Sequence, residues 1–107
     1  MPGESEILIN VKALIHLFSS EESGKVNPIV GNYRPNHNFF NKNNTNMHIG
    51  QINVPEGVSL HPEQQMEILV SFLFNKDLVT EIYPGRQWYI QEGHRVVGIG
   101  IITQIIE

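Results

Sequence analysis

The chain has 107 residues, of which 40% are hydrophobic and 17% charged, with a formal net charge of −4. This length suits one domain with one core, and the charge argues against binding nucleic acid through a general basic field. The lack of cysteine excludes disulfides, thiolate metal sites and cysteine nucleophiles.

The first half of the chain predicts one long strand followed by irregular segments. We expect residues 1–6 to be a flexible N-terminus. From Ile7 to Phe18 every second residue is apolar, which indicates a half-buried strand. Ser19 to Gly24 is read as a polar turn. Gly31 to Pro35 is irregular, since proline disfavours a helical residue before it. The polar stretch Asn41 to Asn46 is predicted to be an exposed loop.

The middle of the chain predicts two further strands. Met47 to Val54 alternates again, and Pro55 to Val58 places proline and glycine where a turn favours them. Met66 to Phe74 is the most hydrophobic segment and predicts a buried strand. A helix is the weaker interpretation there, because the run is short and rich in β-branched and aromatic residues. Leu78 to Tyr83 fits either a helix or a strand.

The C-terminal part predicts two strands, Arg86 to Gln91 and Arg95 to Ile106, joined across a turn at Glu92-Gly93. Gly98 and Gly100 occupy alternate positions of the last strand. Glycine there removes side chains from one face, so another backbone or a bulky ring can approach closely. Strand curvature and crowding on the inner face are the favoured interpretation of both glycines.

Together these segments predict an all-β fold, a six-stranded antiparallel closed β-barrel that occupies residues 1–107 as a single domain. The last strand is expected to lie beside the first and to close the barrel. Trp88 and Tyr89 are neighbours on one strand, so one should face the core and the other solvent, and Trp88 is the expected core residue.

Four segments in order resemble the C-terminal β-barrel domain of elongation factor Tu and its eukaryotic and archaeal relatives. The resemblance covers about residues 11–106. The matching segments are an acidic turn with glycine and lysine and a later proline (Ser20 to Lys25, with Pro28), a segment containing Tyr-Arg-Pro (Asn32 to Pro35), a Val-Pro-Glu-Gly-Val turn (Val54 to Val58), and the run Glu92 to Gly100.

In that family the barrel is a third domain that packs on a GTPase domain and a second barrel, touches the T stem of aminoacyl-tRNA and contributes to the exchange-factor interface. The resemblance places tRNA-facing positions near Asn36 and Gly93. This chain has no phosphate-binding loop, so we expect no GTPase activity. His94 replaces a family glycine, and residues near Asn41 to Asn46 are an insertion.

The candidate contacts with a partner or RNA are Lys25, Arg34, Asn36, Gly93, His94 and Arg95. A planar guanidinium at Arg34 or Arg95 suits recognition of a carboxylate or phosphate. The alternative for both arginines is a structural role, pairing with Glu92 or with loop carbonyls to fix a turn.

No catalytic, metal or cofactor site is predicted. The five histidines, His16, His37, His48, His61 and His94, have no recognised ligand spacing. No convincing triad is visible, so we expect no enzyme. A small enzyme or ligand carrier remains a third hypothesis, which would require a polar pocket with converging titratable groups.

The favoured function is a non-catalytic module that docks onto a protein partner, because an acidic chain suits a protein better than a polyanion. Contact with tRNA or other RNA is the alternative. Self-association is a further expectation, since surface that companion domains would cover is otherwise exposed. No apolar run reaches the length of a membrane span and the N-terminus has no basic region, so we expect a cytoplasmic protein.

Overall fold

A computed structural model describes residues 7–39 and 47–106, and the predictions for residues 1–6 and 41–46 lie outside this part. The elements are β1 (Leu8–Leu17), α1 (Ser20–Ser23), β2 (Ile29–Val30), β3 (Asn32–Tyr33), β4 (Asn36–Asn38), β5 (His48–Asn53), β6 (Ser59–Leu60), β7 (Gln65–Leu73), α2 (Lys76–Val79), β8 (Gln87–Glu92) and β9 (Arg95–Ile106).

Six strands form a closed antiparallel ring in the order β1–β7–β5–β4–β8–β9, and β9 returns to β1. The predicted six-stranded closed β-barrel is therefore confirmed. The closing ladder runs from Asn10 opposite Ile106 to Leu17 opposite Gly98, which is the pairing that the sequence predicted. β3 pairs with the end of β5, and β2 pairs with β6 beside the ring.

Alternation of side chains along the strands fills the barrel. β1 points Val11, Ala13, Ile15 and Leu17 inward, and all four are buried. The hydrophobicity of β7 predicts a strand buried on both faces. Instead, its side chains alternate between buried and exposed positions, as in β1. Leu69 is 42% exposed because its parity places it on the outer face.

Two single-turn helices replace segments that the sequence left as a turn or undecided. α1 forms within the predicted polar turn because the Ser19 side chain accepts a hydrogen bond from the Glu22 backbone N–H at 3.2 Å. α2 begins before the undecided stretch and covers only its first two residues, and the Asn75 side chain caps it by accepting from the Asp77 N–H at 2.7 Å. The predicted turn at Pro55 is confirmed by a 3.0 Å bond from the Val58 N–H to the Pro55 carbonyl.

An aromatic cluster fills one part of the barrel interior. Trp88 is fully buried, as predicted, and stacks on Phe39 with a 5.5 Å centroid distance and a 13° angle between ring planes. Phe72 meets Trp88 edge-on at 5.4 Å. The indole N–H of Trp88 donates to Nδ1 of buried His37 at 2.9 Å, which satisfies the polar atom of the indole.

Gly98 and Gly100 make room for these inner contacts. A Cβ atom on Gly100 would lie 2.5 Å from Cη2 of Trp88, and one on Gly98 would lie 2.5 Å from the His16 carbonyl oxygen. The predicted close approach is confirmed, with a ring at one glycine and a backbone at the other. Both neighbours belong to this chain, in agreement with inner-face crowding.

Candidate functional site

The hairpin between β8 and β9 organises the first candidate surface. Glu92 pairs with Arg95 across a two-residue loop of Gly93 and His94. Gly93 has a φ of 64°, as the first central position of a type II′ turn requires. His94, the second residue of this loop, is exposed. The tight turn brings the side chains of Glu92 and Arg95 to the same end of the barrel.

Three side chains contact the Glu92 carboxylate. We call Glu92 and these partners the Glu92 cluster: Lys25, Tyr33, Glu92 and Arg95. Lys25 Nζ lies 2.9 Å from Glu92 Oε2, and Arg95 Nη2 lies 3.3 Å from Oε1. The Tyr33 hydroxyl donates to Oε2 of the same carboxylate. Lys25 Nζ also lies 5.4 Å from the centre of the Tyr33 ring, and Arg95 Nη1 lies 3.5 Å from the Gly24 carbonyl.

These contacts set the protonation states in the cluster. Burial would raise the pKa of Glu92, but hydrogen bonds from Tyr33 and Lys25 outweigh it and hold the pKa below its ordinary value. Burial, and then the hydrogen bond to Glu92, raise the pKa of Tyr33 far above its usual range. At neutral pH the cluster therefore contains a carboxylate, a neutral phenol and two cations.

The structure places four of the six predicted contact residues at one end of the barrel and the other two, Asn36 and Arg34, elsewhere. Lys25, Gly93, His94 and Arg95 come together at the Glu92 cluster. Arg95 adopts the structural alternative, since it contacts Glu92 and a loop carbonyl. Asn36 is exposed on β4, opposite Gln91 and Ile49.

Arg34 lies on a different surface, which we call the Arg34 groove: Leu8, Arg34, Ile49, Gly50, Gln51, Asn53, Ser71 and Leu73. The groove has a volume of about 410 Å³. Its outer-face side chains come from β1, β5 and β7. In the strand register Gln51 lies opposite Ser71, and Ser71 lies opposite Asn10.

A chain of hydrogen bonds crosses this surface from Arg34. Arg34 Nε donates to Gln51 Oε1 at 2.7 Å, and Gln51 Nε2 donates to Asn53 Oδ1 at 2.6 Å. Asn53 Nδ2 lies 3.3 Å from Ser71 Oγ and 3.1 Å from the Leu69 carbonyl. The Ser71 hydroxyl donates to Asn10 Oδ1 at 2.7 Å. Arg34 joins this chain through its Nε atom alone.

Sequence reasoning missed the residues that connect each surface. Glu92 was considered only as a partner for arginine, although three side chains converge on it. The polar residues Asn10, Gln51, Asn53 and Ser71 were not singled out. The alternation within each predicted strand indicates that these side chains face outward. They are neighbours because of the order of strands around the barrel, and the sequence does not reveal that order.

Among the described residues, no three histidine, aspartate or glutamate side chains are grouped so that they could hold a metal ion. The helices in the same part of the chain are too short to cross a membrane. No known family model matches this chain. The resemblance to the elongation-factor barrel therefore remains a prediction at the level of family.

Replacing Glu92 with glutamine is expected to lower the free energy of unfolding by about 1–2 kcal/mol, because two cations lose their carboxylate while partial exposure limits each pair. The pKa of Tyr33 should fall in part, since burial, the larger cause of its rise, is kept. Urea unfolding measures the first effect, and ultraviolet titration of the phenolate measures the second.

Glu56→Gln is the matched control, since Glu56 is an exposed carboxylate on the Pro55 turn. It should leave both quantities unchanged. Because the pKa of Glu92 is lowered by folding, its contribution is present above the ordinary glutamate pKa and is lost as pH falls below it. An unchanged tyrosine titration in Glu92→Gln would show that the cluster does not hold together in solution.

Proposed function

We propose that this chain is a non-catalytic β-barrel module that docks onto a protein partner. The observation that carries the proposal is an arrangement of apolar groups: side chains fill the barrel interior, and further large apolar side chains lie uncovered at one end of it. Binding at the outer surface therefore suits this barrel better than binding inside it.

A depression of about 310 Å³, which we call the apolar end, is lined almost entirely by apolar residues: Ile7, Leu8, Ile9, Asn10, Phe74, Val79, Ile82, Ile105 and Ile106. Phe74 is 47% exposed and Ile7 66% exposed. Isolated exposed hydrophobic residues are common, but a group of them in one depression is typical of an interaction site. Aromatic anchors such as Phe74 often dominate the binding energy at such sites.

Electrostatics also favours a protein over RNA as the partner. Lys25 and Arg95, two of the predicted RNA contacts, share the Glu92 carboxylate, so the positive charge at that surface is partly neutralised. The formal charge of the chain is −4. Phosphate binding draws most of its affinity from uncompensated cations that displace counterions.

The resemblance to the elongation-factor barrel is consistent with this proposal. In that family the barrel acts by presenting surfaces to companion domains and to an exchange factor. A barrel of the same architecture could use equivalent surfaces without a nucleotide. This step is an analogy from fold and sequence pattern, and the binding measurements below decide it.

The test is affinity capture with the tagged full chain under crosslinking, followed by titration of each purified partner. Phe74→Ser should weaken binding of a true partner by about tenfold or more, as expected for an aromatic anchor. Tyr83→Ser is the control, because Tyr83 is exposed to a similar degree, 49%, and does not line the apolar end.

Binding to a tRNA pool tests the alternative. We expect no saturable binding at about 50 mM salt, since the predicted cations are few and partly paired. Tight binding to tRNA that weakens steeply between about 50 and 200 mM salt would replace the protein-docking proposal with the RNA alternative.

A further inference from the structure

We propose that the Arg34 groove is a recognition site for a peptide segment that carries a carboxylate beside aliphatic residues. This inference rests on the proposed docking function and names its surface and the chemistry of its partner. It follows from three features of the groove: its charge, its unused hydrogen-bond donors and its aliphatic border.

The first feature is the charge of Arg34. Among the three arginines, Arg86 lies 3.0 Å from Glu81 and Arg95 lies 3.3 Å from Glu92. Arg34 has no carboxylate within 4.0 Å in the described part of the chain. The lining of its groove includes no acidic residue. An uncompensated guanidinium on an otherwise acidic protein is complementary to an incoming carboxylate.

The second feature is the direction of the hydrogen bonds. Arginine can only donate, so Gln51 must present its oxygen to Arg34 Nε and its amide nitrogen to Asn53. Asn53 in turn must direct its nitrogen to the Leu69 carbonyl. At the far end the Ser71 hydroxyl donates to Asn10 Oδ1. Arg34 Nη1 and Nη2 have no partner among the described residues and can only donate. Asn10 Nδ2 is a further donor without such a partner, but Asn10 lines the apolar end and not the groove.

The third feature is an aliphatic border along one side of this polar chain. Leu8 on β1 pairs with Leu73 on β7, and Ile49 is the outward residue that precedes Gly50 on β5. Ile49 is 68% exposed and Leu8 is 50% exposed. All three line the groove, and Leu8 also lines the apolar end. A ligand in the groove would therefore contact hydrogen-bond donors and aliphatic carbons side by side. A peptide with an acidic residue among aliphatic residues is complementary to both.

The probe is a pair of blocked pentapeptides, acetyl-Leu-Ile-Asp-Leu-Val-amide and the same peptide with asparagine in place of aspartate, titrated into the ¹⁵N-labelled full chain. We expect the aspartate peptide to bind with a Kd of about 1 mM or below and to shift amide signals of β5, β7 and Arg34. The asparagine peptide should bind at least about fivefold more weakly, since it cannot form charge-assisted bonds.

Arg34→Gln should remove the preference for aspartate over asparagine. Lys12→Gln is the matched control, because Lys12 is an exposed cation on the outer face of β1 outside the groove, and this variant should keep the preference. Ile49→Ser should weaken both peptides equally. Unfolding in urea checks that each variant is folded.

Several outcomes would overturn the inference. These are an absence of shifts at about 5 mM peptide, equal binding of the two peptides, shifts confined to the Glu92 cluster, or self-association that Arg34→Gln abolishes, which would make a second copy the occupant. If Arg34→Gln keeps full affinity for a captured partner that Phe74→Ser loses, the inference fails while the proposed docking function stands.

Discussion

Replacing Trp88 with alanine is expected to lower the free energy of unfolding by about 3–5 kcal/mol, the range for large aromatic residues in cores. Trp88 is fully buried, packs against Phe39 and Phe72, and donates to His37. Alanine would leave a cavity and an unused acceptor on His37. Urea unfolding followed by far-ultraviolet circular dichroism measures the loss, since that signal does not depend on the indole. Tyr89→Ala, at the adjacent and partly exposed position, should lose about 1 kcal/mol.

The contact between Trp88 and Gly100 provides an internal check on this prediction. Gly100→Ala alone should cost about 1–3 kcal/mol, because its Cβ would meet the indole ring. In the background of Trp88→Leu the same substitution should cost much less, since the shorter side chain leaves space. Purely additive effects in this double-mutant cycle would contradict the packing described for the two residues.

His37 is expected to make the protein less stable as pH falls from about 7 toward 4. Burial lowers the pKa of His37 from 6.5 to about 4, although the Gly50 backbone partly opposes this shift. As pH falls, His37 is therefore protonated near pH 6.5 in the unfolded chain but only near pH 4 in the folded protein. The loss of stability between pH 6.5 and about pH 4 is about 3 kcal/mol, at 1.36 kcal/mol for each pH unit.

Urea unfolding at a series of pH values measures this slope, and NMR titration of the His37 ring measures its pKa directly. His37→Gln keeps an acceptor for the Trp88 N–H and cannot titrate, so its slope should be shallower. Burial also lowers the pKa of His48, which accounts for a remaining slope in that variant. His61→Gln, at an exposed position, should retain the full slope. A His37 ring that titrates near pH 6.5 in the folded protein would rule out this account.

The strands and their closure could be predicted because they depend on local patterns. Alternating apolar residues in β1 and the glycines of β9 each indicate a strand, and the Glu92-Gly93 turn fixes which strands meet. The single-turn helices were missed because each depends on one capping side chain, Ser19 or Asn75, in a stretch too short for helical periodicity. Propensity is a weak guide over four residues.

The candidate site could be predicted only in part, for a geometric reason. Lys25 and Arg95 are 70 residues apart in the sequence, yet both reach Glu92 because the hairpin returns to the region after α1. Both residues were named as candidate contacts, but their sharing of one carboxylate was not predicted. Arg34 was chosen for its guanidinium, but its neighbours on β5 and β7 follow from the order of strands around the barrel. That order depends on long-range pairing, which sequence periodicity does not encode.

The pairing of β1 with β9 leaves one edge of β1 unpaired during synthesis of the chain. β1 precedes β9 in the chain, and β9 is one of its two hydrogen-bonding neighbours, with the ladder reaching Ile106. Until β9 has left the ribosome, β1 can pair on one side only, against β7, and its other edge stays available to foreign strands. The nascent protein is therefore open to aggregation at this edge until β9 emerges and pairs with it.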